Sequence, residues 1–467
     1  MGWKRFATEI RPEEGVAMIE EILELMNENP VNPTKLHELI EKMNTVDVAD
    51  AFELLSREKT IQIFRLLPKN LAAEVFSYIV PEKQQIIVEA LTDSEVSKII
   101  NELFVDDAVD FIEEMPANVV KRVLKNLGED KRRLINQILQ YPEDSAGSIM
   151  ATEYVDLRED ATVREAFDVI RATGPNKETI YTCYVIRRDR LLVGVLSARA
   201  LMLAKPHDIV GDIMDTNLVF AHTTDDREMI ADLFKRYALL SLPVVDKEQR
   251  LVGIVTVDDI VQVIEEENTE DFERMAALSP SEEPYLKTTV ARVARNRIPW
   301  LLVLMLSATI TGSIISHFED SIAAMTALVA FIPMLMGTGG NAGSQSSTTI
   351  IRGMALGEIQ IRDVIRVVWR EVRVGVICGA SLGLVNFARI FIMSNPKDTD
   401  ALLTSLTVTL SLIVTVILAK TVGCVLPITA KKLKIDPAIM AAPLITTIVD
   451  ATSLIVYFSI AKMIMQI

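Results

Sequence analysis

The sequence predicts a multidomain chain: an N-terminal α-solenoid, an α/β tandem pair, an acidic linker helix of plug type, and an all-α transmembrane domain of five helices. Three observations lead there. Pairs of short amphipathic helices recur about every 24 residues up to Leu139, a second repeat relates two segments at an offset of 59, and five apolar stretches follow residue 297. The boundaries that these patterns imply are 1–140, 141–262, 263–296 and 297–467.

The first repeat comprises DVADAFELLSREKTIQIFRLLP, NLAAEVFSYIVPEKQQIIVEALT, EVSKIINELFVDDAVDFIEEMP and NVVKRVLKNLGEDKRRLINQIL, starting at Asp47, Asn70, Glu95 and Asn118. Units of this kind cannot bury their apolar faces alone, so they stack into a shared core. In the second repeat, YVIRRDRLLVGVLSARALM from Tyr184 aligns with PVVDKEQRLVGIVTVDDIV from Pro243, each reading strand, turn, strand, helix. With Met150 and Met214 opening the copies and LVGVLS and LVGIVT marking the paired strands, this resembles a tandem pair of CBS domains. The resemblance implies a ligand-sensing, regulatory module, against the alternative of an inert spacer. Thr256 and Asp259 fall where many such pairs hold a nucleotide ribose, which implies adenine nucleotide (ATP) as a ligand.

An acidic helical segment, VIEEENTEDFERMAALS, runs from Val263 to Ser279 directly before the apolar region. Glu266, Glu267, Glu270, Asp271 and Glu273 lie three and four residues apart, so several share a helix face and repel unless cations intervene. A solvated face is the commoner fate of such a run.

The apolar stretches, approximately 298–316, 321–336, 374–393, 401–428 and 438–461, approach the roughly 20 residues that a spanning helix needs. Met1 to Pro12 lacks the basic, apolar and cleavage regions of a signal peptide, which predicts a cytoplasmic N-terminus. Arg292, Arg295, Arg297, Arg352, Arg362, Arg366, Lys431, Lys432 and Lys434 then fall on the inner side and Lys397 on the outer, with the C-terminus outside. Residues 1–296 carry 55 acids against 35 Lys and Arg, and residues 297–467 carry 9 against 13. An acidic excess of that size disfavours nucleic acid and anionic lipid as partners and favours cations. Cys183, Cys378 and Cys424 are scattered, without metal spacing or a disulfide framework, and read as packing residues.

Two features of the apolar region carry chemistry. In FIPMLMGTGGNAGSQSSTTIIRG, Pro333 and Gly337, Gly339, Gly340 and Gly343 interrupt an apolar run, so irregular backbone is expected. Such backbone is tolerated where it lines a cavity or is buried in protein; the alternative is a tight turn whose glycines permit close packing. The last stretch opens with Asp436 and Pro437, an N-cap and first-turn proline that predict a helix start. Counting in sevens gives Pro443, Asp450 and Tyr457 on one face, with Thr446, Thr447 and Ser453 beside Asp450. Asp450 reads as the only acid placed mid-membrane, about 21 Å along the helix from Asp436. A lone carboxylate there costs roughly 2.5 to 3.5 kcal/mol and calls for a partner, a watery cavity or a cation.

Taken in order, YPEDSAGSIM from Tyr141, the CBS pair, NTED from Asn268, GTGGNAGSQ from Gly337 and DPAIMAAPLITTIVD from Asp436 resemble the MgtE family of magnesium channels and transporters over nearly the whole chain. The resemblance implies a homodimer with its pore between subunits, and closure by cytoplasmic Mg²⁺. It carries regulatory Mg²⁺ onto Asp106, Asp110, Asp226, Glu228, Asp259, Glu267, Glu270, Asp271 and Asp436. It makes Asp450 the ion-binding residue of the pore. Pro443 is expected to expose carbonyls, Thr446 and Thr447 to receive the ion's waters, and Gly337, Gly340, Asn341, Gly343 and Gln345 to scaffold the pore. Gln262 and Ala442 depart from the family, which often has an acid and a polar residue there. A hard ion that keeps its waters suits a wide, oxygen-lined pore, and two copies of Asp450 on a two-fold axis would balance one Mg²⁺. An ion-coupled secondary transporter of Mn²⁺ or Co²⁺ and a membrane-anchored sensor that moves no ion are the rival readings. An intramembrane aspartyl protease is disfavoured for want of a second apposed aspartate, and no enzymatic activity is expected.

Overall fold

The computed structural model describes residues 33–40, 42–281, 288–318, 326–393, 399–440 and 442–465, with 22, 24–25 and 285–286. The expected start of the second span and Lys397 lie outside the described residues. The chain divides into two compact units, residues 1–264 and 265–467.

The N-terminal unit opens with short helices α1 (Pro33–Ile40), α2 (Thr45–Glu53), α3 (Arg57–Phe64), α4 (Lys69–Tyr78), α5 (Pro81–Ala90), α6 (Asp93–Glu102), α7 (Val105–Glu113), α8 (Ala117–Asn126) and α9 (Glu129–Ile138). From α2 onward, corresponding helices restart every 24 residues, at Thr45, Lys69, Asp93 and Ala117 and again at Arg57, Pro81, Val105 and Glu129. Several of these starts carry a stop or cap signal. Thr92 and Glu95 form a reciprocal capping box, Pro81 occupies the first helical turn, and Pro116 precedes α8. Losing a cap of the Thr92 kind costs about 1 kcal/mol. Between repeats, lysines satisfy the carbonyls that helix ends leave open: Lys83 donates to Leu55 O and Lys131 to Leu103 O, the same positions two units apart. Phe52, Phe64, Phe76 and Phe111 stack edge-to-face with centroids 5.3 to 6.2 Å apart, giving the helical region a continuous aromatic seam.

The two three-stranded sheets that follow are copies in register. β1 (Asp156–Arg158), β2 (Thr182–Ile186) and β3 (Leu192–Ser197) form one, and β4 (Ala221–His222), β5 (Ser241–Val245) and β6 (Leu251–Thr256) the other, with a parallel and an antiparallel pairing in each. Every antiparallel pair of the first copy, Tyr184 with Val195 and Val185 with Gly194 among them, recurs 59 residues later as Pro243 with Ile254 and Val244 with Gly253. The copies exchange their leading residues. Met214, which introduces the second copy, lies against Gly194 of the first, and Met150, which introduces the first, lies against Gly253 of the second. Backbone bonds fix the exchange, Ala151 pairing with Ile254 and Asp215 with Val195 at 2.8 to 2.9 Å. Between these strands run the helices α10 (Val163–Thr173), α11 (Ala198–Leu203), α12 (Val210–Ile213) and α13 (Arg227–Tyr237), and α13 with β5 and β6 contributes Ile230, Phe234, Leu242 and Val255 to the core formed by the helical repeats.

After β6 the chain runs into α14 (Val257–Met275), one uninterrupted helix that crosses the expected boundary at 262 and ends four residues before Ser279. The C-terminal unit then contains α15 (Val290–His317), the single turn α16 (Thr326–Val329), α17 (Ile332–Ala355), α18 (Val364–Met393), α19 (Thr399–Lys432) and α20 (Ala442–Met465). Four segments among the described residues are long and apolar enough to cross a membrane: 290–317, 361–392, 402–432 and 437–465.

Two expectations are corrected here. The glycine-rich segment is not irregular: α17 continues unbroken through Gly337 to Gln345. Its glycines serve contact instead. A Cβ at Gly339 would lie 2.8 Å from Thr415 Cγ2, one at Gly340 3.0 Å from Thr446 Cγ2, and one at Gly343 2.8 Å from Ile445 Cγ2. Across the interface a Cβ at Gly423 would run into Gly343 O, so α17 and α19 meet backbone to backbone. The close-packing role weighed for these residues holds, on a helix rather than a turn. The last apolar segment, 437–465, does start after Asp436, but its first described turn, Pro437–Met440, is 3-10, with Asp436 accepting from Ala438 N at 2.8 Å, and α20 is described from Ala442. The count in sevens therefore holds from Pro443 to Tyr457 and not back to Asp436.

Gly423→Ala is expected to destabilise the C-terminal unit by roughly 1 to 3 kcal/mol, because the overlapping atom is backbone. Gly312→Ala, with nothing within 4 Å of the added carbon, should leave the thermal midpoint in detergent unchanged.

Candidate cation sites in the acidic clusters and the last span

In the N-terminal unit the first turn of α7 supplies Asp106 and Asp107, and the first turn of α14 supplies Asp258 and Asp259. Glu178 joins them: burial foremost, then repulsion from Asp259, Asp258 and Asp107, pushes its carboxyl up to about 8. Burial, with repulsion from Asp259, raises Asp107 to about 6. Asp106 is raised well above the carboxylate range and Asp259 is raised too, both by burial first. The nearby cation is Lys131, whose own pKa burial lowers although Glu153, Asp107 and Asp106 favour its charge. Glu178 Oε2 is buried without a hydrogen-bond partner among the described residues. These acids destabilise one another, and the surplus negative charge can be offset by protons or by cations.

The other expected residues of this unit behave differently. Asp110 sits exposed one turn after Asp106. Asp226 is the N-cap of α13, accepting from Glu228 N at 2.8 Å, and Glu228 lies in that helix's first turn. Thr256 Oγ1 donates to Asp259 Oδ2 at 2.6 Å, so the two candidate ribose contacts hold each other. Asp107, Glu178 and Lys131 were not anticipated. Only Asp107 had a sequence signal, its place next to Asp106.

A second cluster lies in the C-terminal unit. Arg274 is paired with Glu270 one turn earlier on α14 and with Asp436. Burial first, then repulsion from Asp436, raises Asp271 to about 6, opposed by Arg274 and reinforced by Glu267 and Glu270. Three of the expected acids, Glu270, Asp271 and Asp436, thus lie around the Arg274 guanidinium, and Glu267 acts on Asp271. Among the described residues no three His, Cys, Asp or Glu side chains converge closely enough to hold a metal ion.

In α20, Asp450 Oδ1 is buried without a hydrogen-bond partner among the described residues, while Thr447 Oγ1 donates back to Pro443 O at 3.1 Å. Thr446 faces Gly340 of α17. The opposite side of α17 exposes Gly337, where an added carbon meets nothing, together with Asn341 and Gln345 at intervals of four residues. Asp450 is also not the only acid inside the helical bundle. Glu371 lies seven residues into α18, which begins earlier than the apolar run at 374 had suggested. Ser346 Oγ of α17 donates to Glu371 Oε2 at 2.5 Å, and Lys420 of α19, 5 % exposed, donates to the same Ser346 Oγ at 3.4 Å. A buried lysine inside an apolar helix is detectable in sequence as a charge in a spanning run.

Comparison with known proteins covers the same regions. The family described as MgtE, divalent cation transporter, matches residues 332–460; the MgtE intracellular N domain matches 43–144; and CBS domains match 146–207 and 210–266. The chain is similar to the magnesium transporter MgtE of Thermus thermophilus, 36 % identical over 92 % of this chain and 95 % of the relative, and to that of Bacillus subtilis, 34 % identical over 91 % and 92 %. A crystal structure of the soluble part of a magnesium transporter superposes with a TM-score of 0.51 at 28 % identity, covering 54 % of this chain and 99 % of that one.

The acidic cluster gives the N-terminal unit a definite pH response. Glu178 and Asp107 keep protons in the folded state at pH values where the unfolded chain has released them, so stability is fully present near pH 4 and falls as pH rises through about 6 and about 8. In chelator-treated buffer the thermal midpoint should decline across that window, and Glu178→Gln should flatten the decline. An unchanged slope in the variant would remove Glu178 from this account.

Proposed function

Because this chain belongs to the MgtE family of divalent cation transporters, we propose that it conducts hydrated Mg²⁺ through a pore between two subunits in the cell membrane. The observation that carries the reading is Asp450, a carboxylate in an apolar helix with one oxygen buried and unpartnered. A divalent ion between two such carboxylates removes the cost of both. The homodimer is supported by the exposed row Gly337, Asn341 and Gln345, because an amide stripe facing lipid would be costly and a second copy with a wet pore relieves it. On this reading α15, α17, α18, α19 and α20 are the five spans, with the N-terminus inside and the C-terminus outside. The preceding regions are a solenoid to residue 140, the CBS pair to 262 and the acidic linker to 296.

Closure by cytoplasmic Mg²⁺ follows from the acids. Asp106, Asp110, Asp226, Glu228 and Asp259 belong to the sensor in the N-terminal unit, and Glu267, Glu270, Asp271 and Asp436 to the gate in the C-terminal unit. Arg274 holds the gate acids when Mg²⁺ is scarce, and the ion competes with it when abundant. At an ion concentration equal to its dissociation constant each site contributes roughly 0.4 kcal/mol, so about five weak sites yield about 2 kcal/mol of closure. Adenine nucleotide at Thr256 and Asp259 would have to exchange their mutual bond for contacts to ribose. A second reading, an ion-coupled carrier of divalent cations, is favoured by the buried set Lys420, Ser346 and Glu371; it requires uptake to depend on a proton or sodium gradient.

In proteoliposomes Asp450→Asn should reduce Mg²⁺ uptake to the level of empty vesicles. Normal uptake by the variant would place the pathway elsewhere. Glu270→Gln with Asp271→Asn should keep uptake and shift its inhibition to higher Mg²⁺ on the cytoplasmic side. Inhibition at the native concentration would take these two acids out of the gate.

A further inference from the structure

The C-terminal unit holds a row of hydroxyls for which the cation pathway has no use. Thr407, Ser411 and Thr415 lie four residues apart on α19, hence on one face, and none is more than 1 % exposed. None of their oxygens has a hydrogen-bond partner among the described residues. Ser453 on α20, 1 % exposed, is in the same condition, and so is Asp450 Oδ1 one turn before it. The two helices bring these groups together: a Cβ at Gly339 would touch Thr415 Cγ2 at 2.8 Å and Ser453 Oγ at 3.0 Å. The row on α19 therefore arrives at the turn of α20 that carries Asp450.

Every helical Ser or Thr can donate to the carbonyl four residues back. Ser381, Thr421, Thr429 and Thr447 of the same unit do so at 2.8 to 3.1 Å. Thr407, Ser411, Thr415 and Ser453 do not. Neutral hydroxyls cannot offset the charge of a stripped divalent ion, whereas each can both give and accept a hydrogen bond, which is what a buried water needs from two to four partners.

We propose that Thr407, Ser411, Thr415 and Ser453 line a narrow file of bound water inside each subunit, ending behind Asp450. The file supplies water to the carboxylate from within the helical bundle. The inference rests on the membrane placement of α19 and α20, and not on Asp450 carrying the ion.

The test uses the full chain in liposomes with Cys183, Cys378 and Cys424 replaced by alanine, and Ag⁺ as the probe. Silver reacts with thiolate, which forms where water reaches, so Ser411→Cys and Thr415→Cys should react about tenfold or more faster than Val408→Cys and Leu412→Cys on the neighbouring apolar face. Equal rates at the two faces, slow or fast, would overturn the file. Ser411→Ala and Thr415→Val give an independent sign: removing a hydrated hydroxyl lowers the thermal midpoint, and a rise would mean that the hydroxyls were dry and the proposal wrong. Neither readout uses cation uptake, so loss of the Asp450 pathway and loss of the file remain separable.

Discussion

A carboxylate taken out of water must be given back a counter-charge, a donor or a proton, and both units of this chain are arranged around that requirement. In the N-terminal unit the helical repeats and the second sheet share one core, which forces the first turn of α7 and the first turn of α14 to present their aspartates to common ground. Burial there raises the carboxyls so that they hold protons more readily, while Lys131 offsets part of their charge. In the C-terminal unit the same shortage is met by Arg274 at one site and by nothing within the described chain at Asp450. Both units thus hold acids that the described residues supply with few counter-charges.

Much of this arrangement was readable in the residues. The 24-residue and 59-residue periods are properties of apolar spacing, and the helices and strands restart where those periods say. Spacing on α14 likewise announced that several of its acids, Glu267, Glu270 and Asp271 among them, would lie near one another. Three things were not readable. Glycine in an apolar run signals either a broken backbone or a close approach, and only the partner surface decides; here Thr415, Val449 and Gly343 O supply it for α17 and α19. Asp436 and Pro437 satisfied the local rules for a helix start, yet such rules cannot tell a 3-10 first turn from an α-helical one. Glu178 and Lys131 carried no local signal, since a single charge between polar neighbours looks alike whether it points to solvent or into a cluster formed by distant turns.

The buried polar groups of the C-terminal unit also divide by geometry rather than by composition. Lys420 and Glu371 reach Ser346, so a cation and an anion in an apolar bundle share one hydroxyl. Thr407, Ser411 and Thr415 sit on the same helix as Lys420 and reach no hydrogen-bond partner among the described residues. Identical residue types thus serve as a bridge in one turn and as a lining in another, depending on what the neighbouring helix offers.

The exchanged methionines bear on how the paired sheets arose. Met150 stands at the head of one copy and completes the other, and Met214 does the reverse. A polypeptide bearing one copy alone would leave its strand glycine uncovered until a second such polypeptide lent its methionine across a two-fold axis. The pair is in this sense a dimer written into one chain, and a duplicated gene could have fused two halves that already depended on each other.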